Sequence, residues 1–70
     1  QSEAFRRGAI GTTREVLWER NYLREGRLVH LGLTDNYLKV RTEGDTPIIN
    51  QITPTMLVAE NGETLLGMVS

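Results

Sequence analysis

Seventy residues, a formal net charge of -1 and no cysteine bound this chain to one small domain with no disulfide framework, thiolate metal site or iron–sulfur centre of its own. Its apolar runs fall far short of the roughly 20 residues that span a bilayer, and its start does not read as a signal peptide, so a soluble, cytoplasmic protein is expected. A generic electrostatic nucleic-acid binder carries a basic excess that this chain lacks, but its charges are segregated. Arg6, Arg7, Arg14, Arg20, Arg24 and Arg27 come early and Lys39 and Arg41 follow, whereas the charges from residue 43 onward are Glu43, Asp45, Glu60 and Glu63. That order predicts a basic front and an acidic back.

Residues 1–10 show weak periodicity, and Gly8 costs a helix about 1 kcal/mol relative to alanine. They read as a linker, a frayed helix end or the end of a preceding domain, so a piece of a larger protein is expected. Residues 12–20, TTREVLWER, are β-branched and aromatic and bounded by Gly11 and Asn21, which predicts a strand. Val16 and Trp18 share one face and Glu15, Leu17 and Glu19 the other. Alternation leaves the inward face open, and a bulge or strong coiling would settle it. Residues 21–26 read as a polar loop ending in a positive-φ glycine at Gly26.

The hairpin RLVHLGLTDNYLKVRT, residues 27–42, organises the rest. From Tyr37 on, alternation sends Tyr37, Lys39 and Arg41 to one face and Leu38 and Val40 to the core. A four-residue loop over Leu33, Thr34, Asp35 and Asn36 sets Gly32 opposite Tyr37. Leu31 then meets Leu38, Val29 meets Val40, His30 meets Lys39 and Leu28 meets Arg41, with the Tyr37 ring lying across Gly32.

Residues 43–47 form a breaker cluster ending in proline, which predicts a turn. Residues 48–52 read as a short strand or a crossing. Pro54 suits the start of a strand running to Asn61-Gly62, a two-residue hairpin signal. A strict turn on that pair sets Glu60 against Glu63, so a longer loop is an alternative. Thr64 to Val69 returns, with a bulge or bend at Gly67. Five short strands at this length predict a small closed or partly open antiparallel barrel.

Catalytic signals are absent. His30 is the sole histidine, with no local serine, threonine and acid arrangement for a nucleophilic triad, and reads as an exposed strand histidine. Metal-ligand spacing is lacking. Glu15 and Glu19, four apart on a strand, make no glycosidase pair. No glycine loop precedes a helix to cradle a phosphate. The remaining signal is the stripe Tyr37, Lys39 and Arg41, an aromatic ring flanked by cations as single-stranded RNA binding requires. Trp18 reads as core before platform, with Tyr22 a further stacking candidate.

Gly11, EVLWE (Glu15 to Glu19), GLTDNYLKV (Gly32 to Val40), Asn50 and Leu66-Gly67 together resemble a TRAM domain. The version most similar ends the radical S-adenosylmethionine methylthiotransferases that modify tRNA, and Thr34 to Val40 is closest to the threonylcarbamoyladenosine type. The match covers roughly residues 8–69, and residues 11–70 are the expected barrel. The resemblance implies a five-stranded antiparallel, OB-like barrel that binds the tRNA anticodon stem-loop and orients it for a separate catalytic domain of the same chain, without catalysing anything itself. Iron–sulfur clusters and S-adenosylmethionine would belong to that other domain. Arg14, Arg20, Lys39 and Arg41 are the residues expected near phosphates, Tyr37 is the stacking ring, and Thr34 and Asn36 offer hydrogen bonds. The rival expectation is a docking module that orients the catalytic domain with little RNA contact, using Trp18, Tyr22 and Leu23 as its interface.

Overall fold

Five strands and one short helix make up the computed structural model of the chain, which describes residues 3–45 and 47–69, the side chains of residues 3–5 excepted. The first two residues of the expected linker, Thr46 of the breaker cluster and Ser70 lie outside the described residues. Helix α1 (Glu3–Ala9) precedes β1 (Thr13–Arg24), β2 (Arg27–Thr34), β3 (Lys39–Gly44), β4 (Ile52–Asn61) and β5 (Thr64–Val69). The sheet closes in the order β1-β2-β3-β5-β4, giving the small OB-like barrel expected. Four of its pairings are antiparallel; β3 and β5 run parallel, with Val40 opposite Leu65. This corrects the all-antiparallel expectation. A closed ring of five strands cannot alternate direction all the way round, so one parallel pair is unavoidable.

Where a linker, a frayed helix end or the end of a preceding domain was expected, helix α1 forms and packs on the barrel. Ala9 is buried in the core, and Arg6 Nε lies 3.0 Å from Glu60 Oε2 on β4. Gly11, at φ 89°, ends the helix in the left-handed conformation that glycine adopts without a Cβ penalty.

Strand β1 runs through the stretch expected to be a loop. The turn shrinks to Glu25 and Gly26, at φ 52° and 80°, with Arg24 opposite Arg27. Two consecutive positive φ values define a type I′ turn, whose twist matches that of the flanking strands. Gly26 takes the positive φ anticipated for it. A bulge between Trp18 and Arg20 resolves the facing of β1: Val16 and Trp18 are buried and Leu17 points out.

The β2–β3 register differs by three residues from the expected one. Gly32 pairs with Val40, Leu31 with Arg41 and His30 with Thr42. Gly32 also faces Trp18 across β1, and a Cβ there would stand 2.8 Å from Trp18 Cε3 and 2.6 Å from the Leu17 carbonyl oxygen. An aromatic ring does lie over Gly32, but it is Trp18, not Tyr37. This fit turns His30, Gly32 and Thr34 inward, all of them buried, and leaves Leu31 and Leu33 on the outer face. The expected exposed His30 is therefore corrected: it is 2 % exposed, its ring edge-on to Trp18 at 6.4 Å.

The segment before β4 is a crossing. It is tied to β1 by Asn50 N–H donating to the Trp18 carbonyl at 2.7 Å and Trp18 N–H donating to the Gln51 carbonyl at 3.0 Å, while Ile48 packs against the core. Pro54 is the third residue of β4, ahead of Thr55, where the pairing with β5 begins. At the next hairpin the turn residues are Gly62 and Glu63, with Asn61 opposite Thr64 and Glu60 opposite Leu65. Shifting the turn by one residue avoids the glutamate pair. The bulge anticipated near Gly67 falls on the facing strand, between Leu57 and Ala59. A Cβ on Gly67 would meet Thr55 Cγ2 at 2.6 Å and Val40 Cγ1 at 2.9 Å, so the glycine lets the strands approach.

Trp18 fills the centre of the barrel at 0 % exposure and donates its indole N–H to Thr53 Oγ1 at 2.8 Å. Trp18→Phe removes that bond and part of the ring volume, and is expected to cost about 1 to 2 kcal/mol. Urea denaturation checks this; an unchanged midpoint would show that the bond contributes nothing.

Candidate nucleic-acid interface

Tyr37 owes its position to a three-residue turn. Thr34 N–H donates to the Leu38 carbonyl at 3.1 Å and Tyr37 N–H to the Thr34 carbonyl at 2.9 Å, while Thr34 Oγ1 accepts from Leu38 N–H at 3.1 Å. Asp35, Asn36 and Tyr37 bridge the strands, with Tyr37 at φ 62°. A type I turn followed by one left-handed residue is a common three-residue hairpin, and glycine normally holds that last place. Here a bulky ring holds it, 73 % exposed. Left-handed backbone costs a non-glycine residue of order 1 to 2 kcal/mol, and such strain gathers at functional sites.

Residues 38 onward alternate as expected. Leu38 and Val40 are buried, Lys39 is exposed and Arg41 is half-buried on the outer face. Cross-strand pairing aligns that face in rows. Ile52, Leu17, Leu33 and Lys39 form one row across β4, β1, β2 and β3. Arg20, Leu31 and Arg41 form the next across β1, β2 and β3. Rows on one face lie two residues apart along each strand, about 7 Å. Three of the expected cations thus border a leucine-rich strip.

Beside the strip, a cleft of about 370 Å³ has Leu17, Leu33 and Ile52 as its apolar lining, Tyr37 among its walls, and Glu15, Glu19 and Asp35 as its charged groups. Sequence reasoning missed this feature. Its signal was Leu17, an apolar residue between two glutamates on the face opposite Trp18. The surface is bipolar: carboxylates surround the cleft and cations stand along the neighbouring strip. A smaller recess brings Arg6 and Glu63 next to Tyr37 and Lys39.

Other expected site residues stand differently. Thr34 is buried at 4 %, its hydroxyl engaged in closing the turn, which corrects its role as a surface hydrogen-bonding group. Asn36 is exposed at the turn. Arg14 belongs to the β1–β4 pairing, opposite Thr55, with Nε 3.4 Å from Thr12 Oγ1, and joins neither row. Trp18 is withdrawn both as a stacking platform and as an interface residue by its burial, whereas Tyr22 and Leu23 are exposed.

Among the described residues no group of three or more His, Cys, Asp or Glu gathers to hold a metal ion, and no helix is long and apolar enough to cross a membrane. Comparison of the chain with protein-family models, with curated proteins and with solved structures found no match.

Proposed function

We propose that this barrel is an RNA-binding accessory domain that presents the anticodon region of a tRNA to a separate catalytic domain, as the TRAM domains it resembles would. The observation supporting this reading is the outer face of β1–β2–β3, where a strained, exposed Tyr37 stands beside a cleft and Arg20, Lys39 and Arg41 border it. In OB-folds the face of strands 2 and 3 is the usual oligonucleotide surface. An unpaired base stacks on the Tyr37 ring. Carboxylates of Glu15, Glu19 or Asp35 accept hydrogen bonds from its amino group, and the phosphates pass over the cations. A net charge of -1 suits this division of labour, because the acids read the base while a local basic strip takes the backbone.

In this reading the iron–sulfur clusters and S-adenosylmethionine of a parent methylthiotransferase are held by its catalytic domain. The chain has no cysteine to ligate a cluster, and no step here passes through those groups.

Binding of an anticodon stem-loop should weaken with salt, and neutralising Arg20, Lys39 or Arg41 should each lower the logarithmic salt slope by about 0.7, the contribution of one single-strand phosphate contact. Fluorescence titration at several salt concentrations measures it. A slope unaltered by all three substitutions removes the strip from the interface.

Docking against the catalytic domain is the second reading, favoured by a different surface. On β4 and β5, Met56 pairs with Met68, the two 45 % and 63 % exposed, with Val58 exposed nearby. Chemical-shift mapping with a tRNA stem-loop separates the readings: RNA binding moves Tyr37, Lys39 and Arg41, and a docking module leaves them still.

A further inference from the structure

The cleft of about 370 Å³ beside Tyr37 has a chemical bias that decides which base suits it. Its charged groups are Glu15, Glu19 and Asp35, and among the described residues no Lys, Arg or His lines it. Val16 pairs with Thr34 across β1 and β2, so the residues next along, Glu15 and Asp35, stand side by side where the strands run into the turn. Both are exposed. Like charges in that relation destabilise a strand pair, and donors set between them remove the penalty. Elsewhere in the barrel acids are met from within the chain: Glu60 lies 3.0 Å from Arg6 and Glu43 3.8 Å from Arg27. Among the described residues no ion pair or side-chain hydrogen bond engages Glu15 or Asp35.

Ionised carboxylates accept hydrogen bonds and cannot donate, so the cleft favours an edge made of donors. The bases of RNA answer that bias differently. Adenine and cytosine each set one amino donor beside a ring nitrogen that accepts, and that nitrogen would face the second carboxylate oxygen. Uracil flanks its N–H with two carbonyl oxygens. Guanine sets two donors together, N1–H and the 2-amino group, in the spacing that a carboxylate accepts bidentately. An arginine side chain also offers paired donors, but it would leave Arg20, Lys39 and Arg41 alongside without an anion. A nucleotide answers both halves of the bipolar surface.

We infer that the cleft selects guanine within single-stranded RNA, the ring stacking on Tyr37, the N1–H and 2-amino edge donating to the Glu15 and Asp35 carboxylates, and the phosphate lying over Lys39. This inference rests on the RNA-binding reading and adds to it a base preference.

The test is a set of titrations of the ¹⁵N-labelled 70-residue protein with RNA pentamers that are uridine except at the centre, where guanosine, inosine, adenosine, cytidine or uridine is placed. The guanosine pentamer should bind about tenfold more tightly than those centred on adenosine, cytidine or uridine, the worth of one charge-assisted hydrogen bond. Inosine lacks the 2-amino group and should lose most of that advantage. Glu15→Gln combined with Asp35→Asn should raise the affinity for every pentamer by removing negative charge, and should bring the ratio between guanosine and adenosine close to one. That ratio is the readout, because a merely electrostatic role for the two acids would leave it unchanged. If another base binds the parent protein as tightly as guanosine, the preference is overturned while RNA binding stands. If inosine matches guanosine, or the double variant keeps the ratio, the assignment of that edge to Glu15 and Asp35 is overturned. If no pentamer binds at millimolar concentration, the RNA-binding reading itself fails, and an arginine-containing peptide that then shifts the Leu17 and Tyr37 amides gives the cleft to a protein partner.

Discussion

Gly32→Ala is expected to destabilise the barrel by about 3 kcal/mol, at the upper end of what overpacking a core costs. The added methyl would stand 2.6 Å from the Leu17 carbonyl oxygen, 2.7 Å from Val16 Cγ1 and 2.8 Å from Trp18 Cε3. Val16 and Trp18 are both fully buried, so neither side chain has room to swing aside. The carbonyl belongs to a strand paired on both sides and cannot move alone. In a domain this small such a loss lowers the melting temperature by more than about 10 °C. Gly8→Ala is the control. Nothing lies within 4 Å of a Cβ there, the residue is helical, and alanine should stabilise by up to about 1 kcal/mol. A Gly32→Ala protein that melts within about 2 °C of the parent would show that Trp18 does not pack across this glycine.

Tyr37→Gly is expected to separate stability from binding by moving them in opposite directions. Glycine relieves the left-handed strain at φ 62° but loses more backbone entropy on folding, so the net gain is about 0.5 to 1 kcal/mol. The side chain is 73 % exposed, so little packing is lost with it. Removing the stacking ring should meanwhile weaken RNA binding by about 1 to 3 kcal/mol. Tyr37→Ala should lose the same affinity without the stability gain, because alanine suffers the same backbone strain. Thermal denaturation and stem-loop titration read the two effects. If Tyr37→Gly lowers stability, the ring supports the turn; if affinity holds in both variants, it does not stack.

Short-range regularities carried much of this fold. Alternation placed Leu38 and Val40 inside and Lys39 and Arg41 outside, because successive side chains on a strand point to opposite faces whatever the strand pairs with. Gly26 took its positive φ for an equally local reason, since only the residue's own backbone decides that preference. Of the expected stripe, Lys39 and Arg41 were legible for the same cause; Tyr37 was not, because it sits in the turn before β3 at φ 62°, outside the alternating strand. The register of β2 against β3 was not. It depends on where the indole of Trp18, from a third strand, finds space, and only Gly32 provides it. His30 went inward as a consequence, which no pattern within residues 27–42 could show.

The cleft beside Tyr37 likewise joins Glu15 and Leu17 of β1, Asp35 of the β2–β3 turn and Ile52 of β4, residues that the chain separates and closure unites. By itself the sequence determined the small five-stranded all-β class and the inward-facing residues Leu38 and Val40 that lead into β3; helix α1, the full length of β1 and the facing of β1 and β2 came with the tertiary structure. Tertiary structure decided how the strands pair, which way β5 runs beside β3, and which polar groups share a surface. The physical reason is one of range: facing and turn preference are energies of a residue and its neighbours, whereas register and closure are settled by steric fit among strands distant in the chain.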